Sequence, residues 1–106
     1  MPVSEIHNEH EFKNVLGNPL AIIDFYADWC GPCKVMAPKF KEFSDNPRYS
    51  SVKFYKVNID TVPEAGDKCG VKSLPTFFAL EYGQQYGSVV GASVEKLKNL
   101  LEELIN

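Results

Sequence analysis

The sequence has 106 residues, 44% hydrophobic and 24% charged, values of an ordinary globular chain that exclude a largely disordered one and fit one domain better than two. The net charge is −3, and Arg48 is the single arginine, which argues against a surface that reads nucleic acid or phosphate. Three cysteines are too few for a disulfide-dense secreted scaffold and leave one over if two are joined.

The segment from Met1 to His10 has neither a basic start nor an apolar run of signal-peptide length, so a cytoplasmic protein is expected. No apolar stretch approaches a membrane span. A short strand around Ile6 and a helix near Glu9 to Leu16 open the chain. Leu20–Tyr26 is almost wholly apolar and reads as a strand covered on both faces, in the middle of a sheet. Met36, Phe40 and Phe43 recur at helical spacing with Pro47 as a stop, which predicts a helix from about Cys33 to Asp45. Pro38 inside it should kink it. Val52–Ile59 is the next strand, giving a right-handed parallel crossover.

In the second half, Thr61 is expected to cap a short helix that carries Pro63 early, has Glu64 at the capping-box position and ends near Gly70. Thr76–Tyr82 and Tyr86–Val90 read as strands joined through Gly83, a link short enough to require antiparallel pairing. Ser93 opens a last helix whose Val94, Leu97, Leu100, Leu101, Leu104 and Ile105 form a broad apolar stripe. The prediction is one continuous α/β domain over residues 1–106, with no repeat or linker.

Chemistry concentrates at Trp29-Cys30-Gly31-Pro32-Cys33-Lys34, directly after the buried strand and at a helix start. Two cysteines three apart can close a small disulfide ring, and the helix dipole and free N–H groups there stabilise a thiolate on the first. Cys30 is therefore the expected nucleophile, and Cys33, a turn further and more buried, the resolving thiol. A zinc half-site and two inert structural thiols compete with this reading; zinc would need Cys69, His7 or His10 as further ligands, and none of these forms a second close pair. Asp24 is the only charge in Leu20–Tyr26, where a carboxylate is costly to bury without a use or partner. Desolvation would raise its pKa and suit it to accept the Cys33 proton, directly or through a water; a strand end or a structural ion pair is the alternative.

The run Asp24–Lys34 resembles the thioredoxin signature, and the similarity extends to Pro38, Lys56–Asp60, Leu74-Pro75-Thr76 and Val90-Gly91-Ala92, covering essentially the whole chain. The resemblance implies the thioredoxin fold, a mixed five-stranded sheet flanked by four helices, and protein disulfide reductase activity. No cofactor would be bound. NADPH would be used indirectly, through a thioredoxin reductase that recycles the protein, and disulfide-containing proteins would be the substrates of a monomer that binds neither nucleic acid nor membrane.

The resemblance also supports Lys56 as the neighbour that tunes Asp24. It implies a cis Leu74–Pro75 bond facing the cysteines, although most X-Pro bonds are trans, with the Leu74 backbone free to pair with an extended substrate. Trp29, Gly31, Pro32, Leu74 and the loop Val90, Gly91, Ala92 would form an apolar docking surface around Cys30; a core role for Trp29 is the alternative. Cys69 reads as a small buried hydrophobe, with a regulatory thiol the alternative. His7 and His10 read as solvated or capping residues, with metal binding the alternative.

Asp28 before Trp29 and Leu80-Glu-Tyr-Gly83 in the hairpin depart from the commonest family pattern and put partner choice in question. A disulfide oxidase or isomerase is disfavoured by Gly31-Pro32, since such relatives usually carry histidine there. A module that holds partners on the apolar face without electron transfer is the competitor from a different class.

Overall fold

The computed structural model describes residues 3–106. Its elements in chain order are β1 (Val3–Ile6), α1 (Glu9–Val15), β2 (Leu20–Tyr26), α2 (Gly31–Asp45), a 3-10 turn (Pro47–Tyr49), β3 (Lys53–Asn58), α3 (Pro63–Lys68), β4 (Thr76–Glu81), β5 (Gln84–Val90) and α4 (Val94–Ile105). The five strands make one sheet in the order β1-β3-β2-β4-β5. β1 and β2 run parallel to β3, whereas β4 runs antiparallel to β2 and β5. β2 is thus central, as its apolar run predicts.

Alternation along β2 divides the core into two layers. Ile22 faces a cluster with Met36 and Phe40 of α2 and Leu97, Leu100, Leu101 and Leu104 of α4. Ala21, Ile23 and Phe25 face the opposite cluster, with Phe12 and Val15 of α1 and Ala65 of α3. Each fully buried Leu, Ile or Phe stabilises by roughly 1.5–3 kcal/mol. An exposed ion pair such as Lys41 with Asp45 contributes about 0–1 kcal/mol, so the two apolar layers hold the fold. By the period of two, Asp24 falls on the Ile22 face, beneath α2.

Three local expectations are corrected. α2 starts at Gly31, two residues before Cys33, because the Cys30 side chain caps it and Pro32 fits a first turn whose N–H groups have no intrahelical partner. It continues through Pro38 to Asp45. Thr61 does not cap α3: the N-cap is Val62, with no side-chain capping bond, because Pro63 fixes the first turn one residue later. The Thr61 and Val62 N–H groups instead donate to the Asn58 carbonyl at 3.0 and 2.9 Å. β5 begins at Gln84, two residues earlier than expected, since Tyr82 (φ 49) and Gly83 (φ 79) supply the two left-handed residues of a tight hairpin turn.

Candidate redox site

The end of β2 delivers the cysteines to the N-terminus of α2. Cys30 is extended (φ −90, ψ 108), and its Sγ accepts the Cys33 N–H at 3.2 Å. Pro32 has no N–H to offer, so Cys33 supplies the donor that reaches the sulfur. Cys30 and Cys33 are joined in a disulfide, with their Cα atoms 5.3 Å apart. Gly31 is exposed, and a Cβ there would meet nothing within 4 Å. Space therefore does not demand glycine.

Burial separates the cysteines less than expected, at 5% exposure for Cys30 and 3% for Cys33. What distinguishes them is the space each lines. Cys30 borders an outer cleft of about 670 Å³ shared with Trp29, Gly31, Pro32 and Leu74. Cys33 borders a separate cavity of about 330 Å³ shared with Asp24, Tyr26, Asp28, Lys34, Ala37 and Lys56. Cys33 and Asp24 thus share one surface space, walled partly by the exposed Asp28 and Lys34, and Cys30 borders another.

Asp24 is 4% exposed, and its Oδ1 has no hydrogen-bond partner among the described residues. Burial pushes its pKa up to about 7, the positive charge of Lys56 opposes that rise and the negative charge of Glu5 adds to it. Asp24 and Lys56 are register partners on adjacent strands. The Lys56 ammonium nevertheless makes its ion pair with Glu5, at 3.6 Å. The structural ion pair considered for Asp24 is thus not formed among the described residues.

Trp29 is 69% exposed, which removes the core reading of this residue. Its Nε1–H donates to Asp60 Oδ2 at 2.9 Å, and the Asp60 N–H donates to Asn58 Oδ1 at 2.9 Å. The Leu74–Pro75 bond is cis. Pro75 is buried, and its carbonyl accepts the Gly91 N–H at 2.9 Å. That bond attaches the loop Val90, Gly91, Ala92 to the site; Gly91 takes φ 101, a region open to glycine. These three residues do not line the cleft. Its further wall comes from Ile59 and from α3 and the loop after it, including Gly66, Asp67, Val71 and Lys72. Sequence reasoning missed this wall and Asp60, because no local pattern announces which loops meet at the ends of the central strands.

Cys69 is half-buried against the α1/α3 layer, and burial pushes its thiol up to about 11. His7 belongs to the start of α1: its N–H donates to Glu11 Oε1 at 2.8 Å, while Asn8 caps the helix. His10 is exposed. Among the described residues no group of three or more His, Cys, Asp or Glu is placed to hold a metal ion. Among the described residues no helix is long and apolar enough to cross a membrane.

The family model described as Thioredoxin matches residues 3–103. Thioredoxin-1 of Schizosaccharomyces pombe is 39% identical over 97 residues, 91% of this chain and 92% of its own length. The thioredoxin of Sus scrofa is 39% identical over 106 residues, 97% of this chain and 99% of its own. The crystal structure of Malassezia sympodialis thioredoxin superposes with a TM-score of 0.94 at 37% identity, covering 100% of this chain and 96% of that one.

Proposed function

The chain belongs to the thioredoxin family and is a thiol–disulfide oxidoreductase that reduces protein disulfides, and we propose the following division of labour among its residues. In the reduced protein, the Cys30 thiolate attacks one sulfur of a substrate disulfide. A Cys30–substrate mixed disulfide forms, and the other substrate sulfur leaves as a thiolate. Cys33 then gives its proton to Asp24 and attacks Cys30 Sγ, closing the Cys30–Cys33 bond and releasing the second substrate thiolate, which takes up a proton. Two electrons pass from the dithiol to the substrate.

The observation that carries this reading is the partition of the cysteines between two spaces, Cys30 with the outer cleft and Cys33 with the cavity of Asp24. The Cys33 N–H on Cys30 Sγ and the N-terminus of α2 favour the Cys30 thiolate. A carboxyl titrating near 7 is matched to proton transfer at neutral pH. Lys56 tunes that carboxyl. Gly31 and Pro32 shape the approach to Cys30, and Pro75 sets the Leu74 backbone beside it. Trp29, Leu74 and the loop Val90, Gly91, Ala92 dock an extended substrate segment, to which the cleft wall of Ile59 and Val71 adds apolar area.

The chain acts as one monomeric unit in the cytoplasm, and a thioredoxin reductase drawing on NADPH returns it to the dithiol. Cys33→Ser tests the scheme. It should abolish insulin reduction in an NADPH-coupled assay and trap protein partners on Cys30, and Cys30→Ser should abolish both reduction and trapping. Full turnover by Cys33→Ser would overturn the assignment, and a module that only holds partners would trap nothing.

A further inference from the structure

Three charged residues stand in one row across the sheet. Glu5 of β1 is the register partner of Lys56 of β3, and Lys56 is the register partner of Asp24 of β2. The common register puts all three side chains on the face beneath α2. A cation between two carboxylates can serve either, and here it pairs with Glu5 at 3.6 Å.

Glu5 is itself held. The Tyr26 hydroxyl donates to its carboxylate and lies 2.9 Å from both Oε1 and Oε2. The Lys56 ammonium also sits over the Tyr26 ring, 5.8 Å from its centroid, where the ring face attracts a cation. Tyr26 thus contacts both members of the outer pair and favours the Lys56 position that faces β1.

We propose that Glu5, clamped by Tyr26, is a positioning residue for the disulfide exchange: it draws the Lys56 ammonium toward β1 and away from Asp24, keeping Asp24 a strong enough base to take the Cys33 proton. The inference deepens the mechanism above and rests on Asp24 as the proton acceptor. Other groups around Asp24 do not supply this effect. Asp28, Lys34 and Cys33 line the cavity on the Cys33 side, and Lys41 lines a second cavity of about 460 Å³ that also reaches Asp24. β4 places the apolar Phe77 opposite Asp24. Glu5 alone is joined to Lys56 by an ion pair among the described residues.

The test is the pH midpoint of the Asp24 carboxyl, followed by carbon NMR in Glu5→Gln and assigned with Asp24→Asn. Glu5→Gln removes a negative charge from the row and frees Lys56 to approach Asp24, and both changes favour the Asp24 carboxylate. The midpoint should fall by about half a pH unit or more, and the acid limb of mixed-disulfide resolution should fall with it. In a Lys56→Met background the same substitution should move the midpoint by less than half as much. Glu9→Gln, which breaks the distant pair with Lys68 (2.9 Å), should leave the midpoint in place. A merely structural Glu5 would alter unfolding without moving the titration. An unmoved midpoint in Glu5→Gln, or an equal shift with and without Lys56, overturns the proposal whatever Asp24→Asn does. A shifted midpoint with a resolution profile indifferent to Asp24→Asn overturns instead the base assignment on which it rests.

Discussion

The indole N–H of Trp29 and Oδ2 of Asp60 are 2.9 Å apart, so the most exposed aromatic beside the cysteines is tied to the loop that follows β3. The bond fixes a ring that otherwise swings in solvent. A docking protein then meets a surface already ordered, and less side-chain entropy is lost on binding. Asp60→Ala should lower kcat/KM toward insulin about threefold to tenfold, as for loss of an exposed hydrogen bond to a charged group, mostly through KM. Reduction of a small aromatic disulfide, which reaches Cys30 without covering the indole, should change little. An unchanged KM for insulin would remove this bond from substrate docking.

The buried Asp24 makes stability depend on pH in a defined direction. Its folded pKa of about 7 lies above the ordinary value of 3.8. Between these values the folded state binds more protons than the unfolded one, so stability falls as pH rises through the window. Asp24→Asn in the disulfide form should therefore gain on the parent from about pH 4 upward, and stand about 2–4 kcal/mol more stable above pH 7 in urea unfolding. The same variant should resolve mixed disulfides about 100-fold more slowly at pH 7. A stability difference that is flat with pH would contradict the raised titration.

Glu102 shows the opposite sign. It accepts hydrogen bonds from Arg48 Nε at 2.7 Å, from the Arg48 terminal nitrogen and from the Tyr49 hydroxyl, which joins α4 to the 3-10 turn. The Arg48 and Tyr49 donors hold its carboxyl down at about 2, against an ordinary 4.5. Its contribution is present above pH 4.5 and is lost as pH falls toward 2. Glu102→Gln should lower the urea midpoint at pH 7, and its gap to the parent should close as pH falls through that window. A gap of constant size would show that packing of α4, not the charge, carries the effect.

The hairpin between β4 and β5 places Tyr82 at φ 49, a region where a residue with a Cβ is strained and asparagine is better tolerated. Tyr82→Asn should stabilise the protein by up to about 1 kcal/mol in thermal unfolding. Gly83→Ala should do the reverse, by about 1–3 kcal/mol, because its Cβ would lie 2.8 Å from the Leu16 carbonyl oxygen at φ 79. An alanine tolerated at Gly83 would mean that the turn relaxes into another form.

The long periodic elements were legible because local burial writes itself into sequence. β2 is covered by helices on both faces and is apolar at nearly every position, and the α4 stripe from Leu97 to Ile105 faces a single layer while Val94, in its first turn, stays exposed. Helix starts were less legible. The sequence around Thr61 offers a hydroxyl and a glutamate at capping-box spacing, yet Pro63 and the Asn58 carbonyl settle the first turn of α3 differently. The start of α2 is hidden in the sequence because a cysteine sulfur, rather than a hydroxyl or carboxylate, accepts the capping N–H. The site was legible where its residues are neighbours in the chain, and not where they meet only in space, as Trp29 and Asp60 or Tyr26 and Glu5 do.

The three cysteines whose odd number stands out in the composition divide on spacing alone: two at a helix start form the redox pair, and Cys69 stays outside it. The sequence also determined the strand that carries the pair and the single charge buried within that strand, since these depend on neighbours a few residues apart. Tertiary structure alone decided that Cys30 borders the outer cleft while Cys33 shares a cavity with Asp24. It also decided that Lys56 pairs with Glu5. The first follows from the way α2 starts over the end of β2, with the loop after β3 and α3 walling one side; the second follows from strand order, because a cation centred between two carboxylates is steered by the neighbours that the sheet supplies on each side.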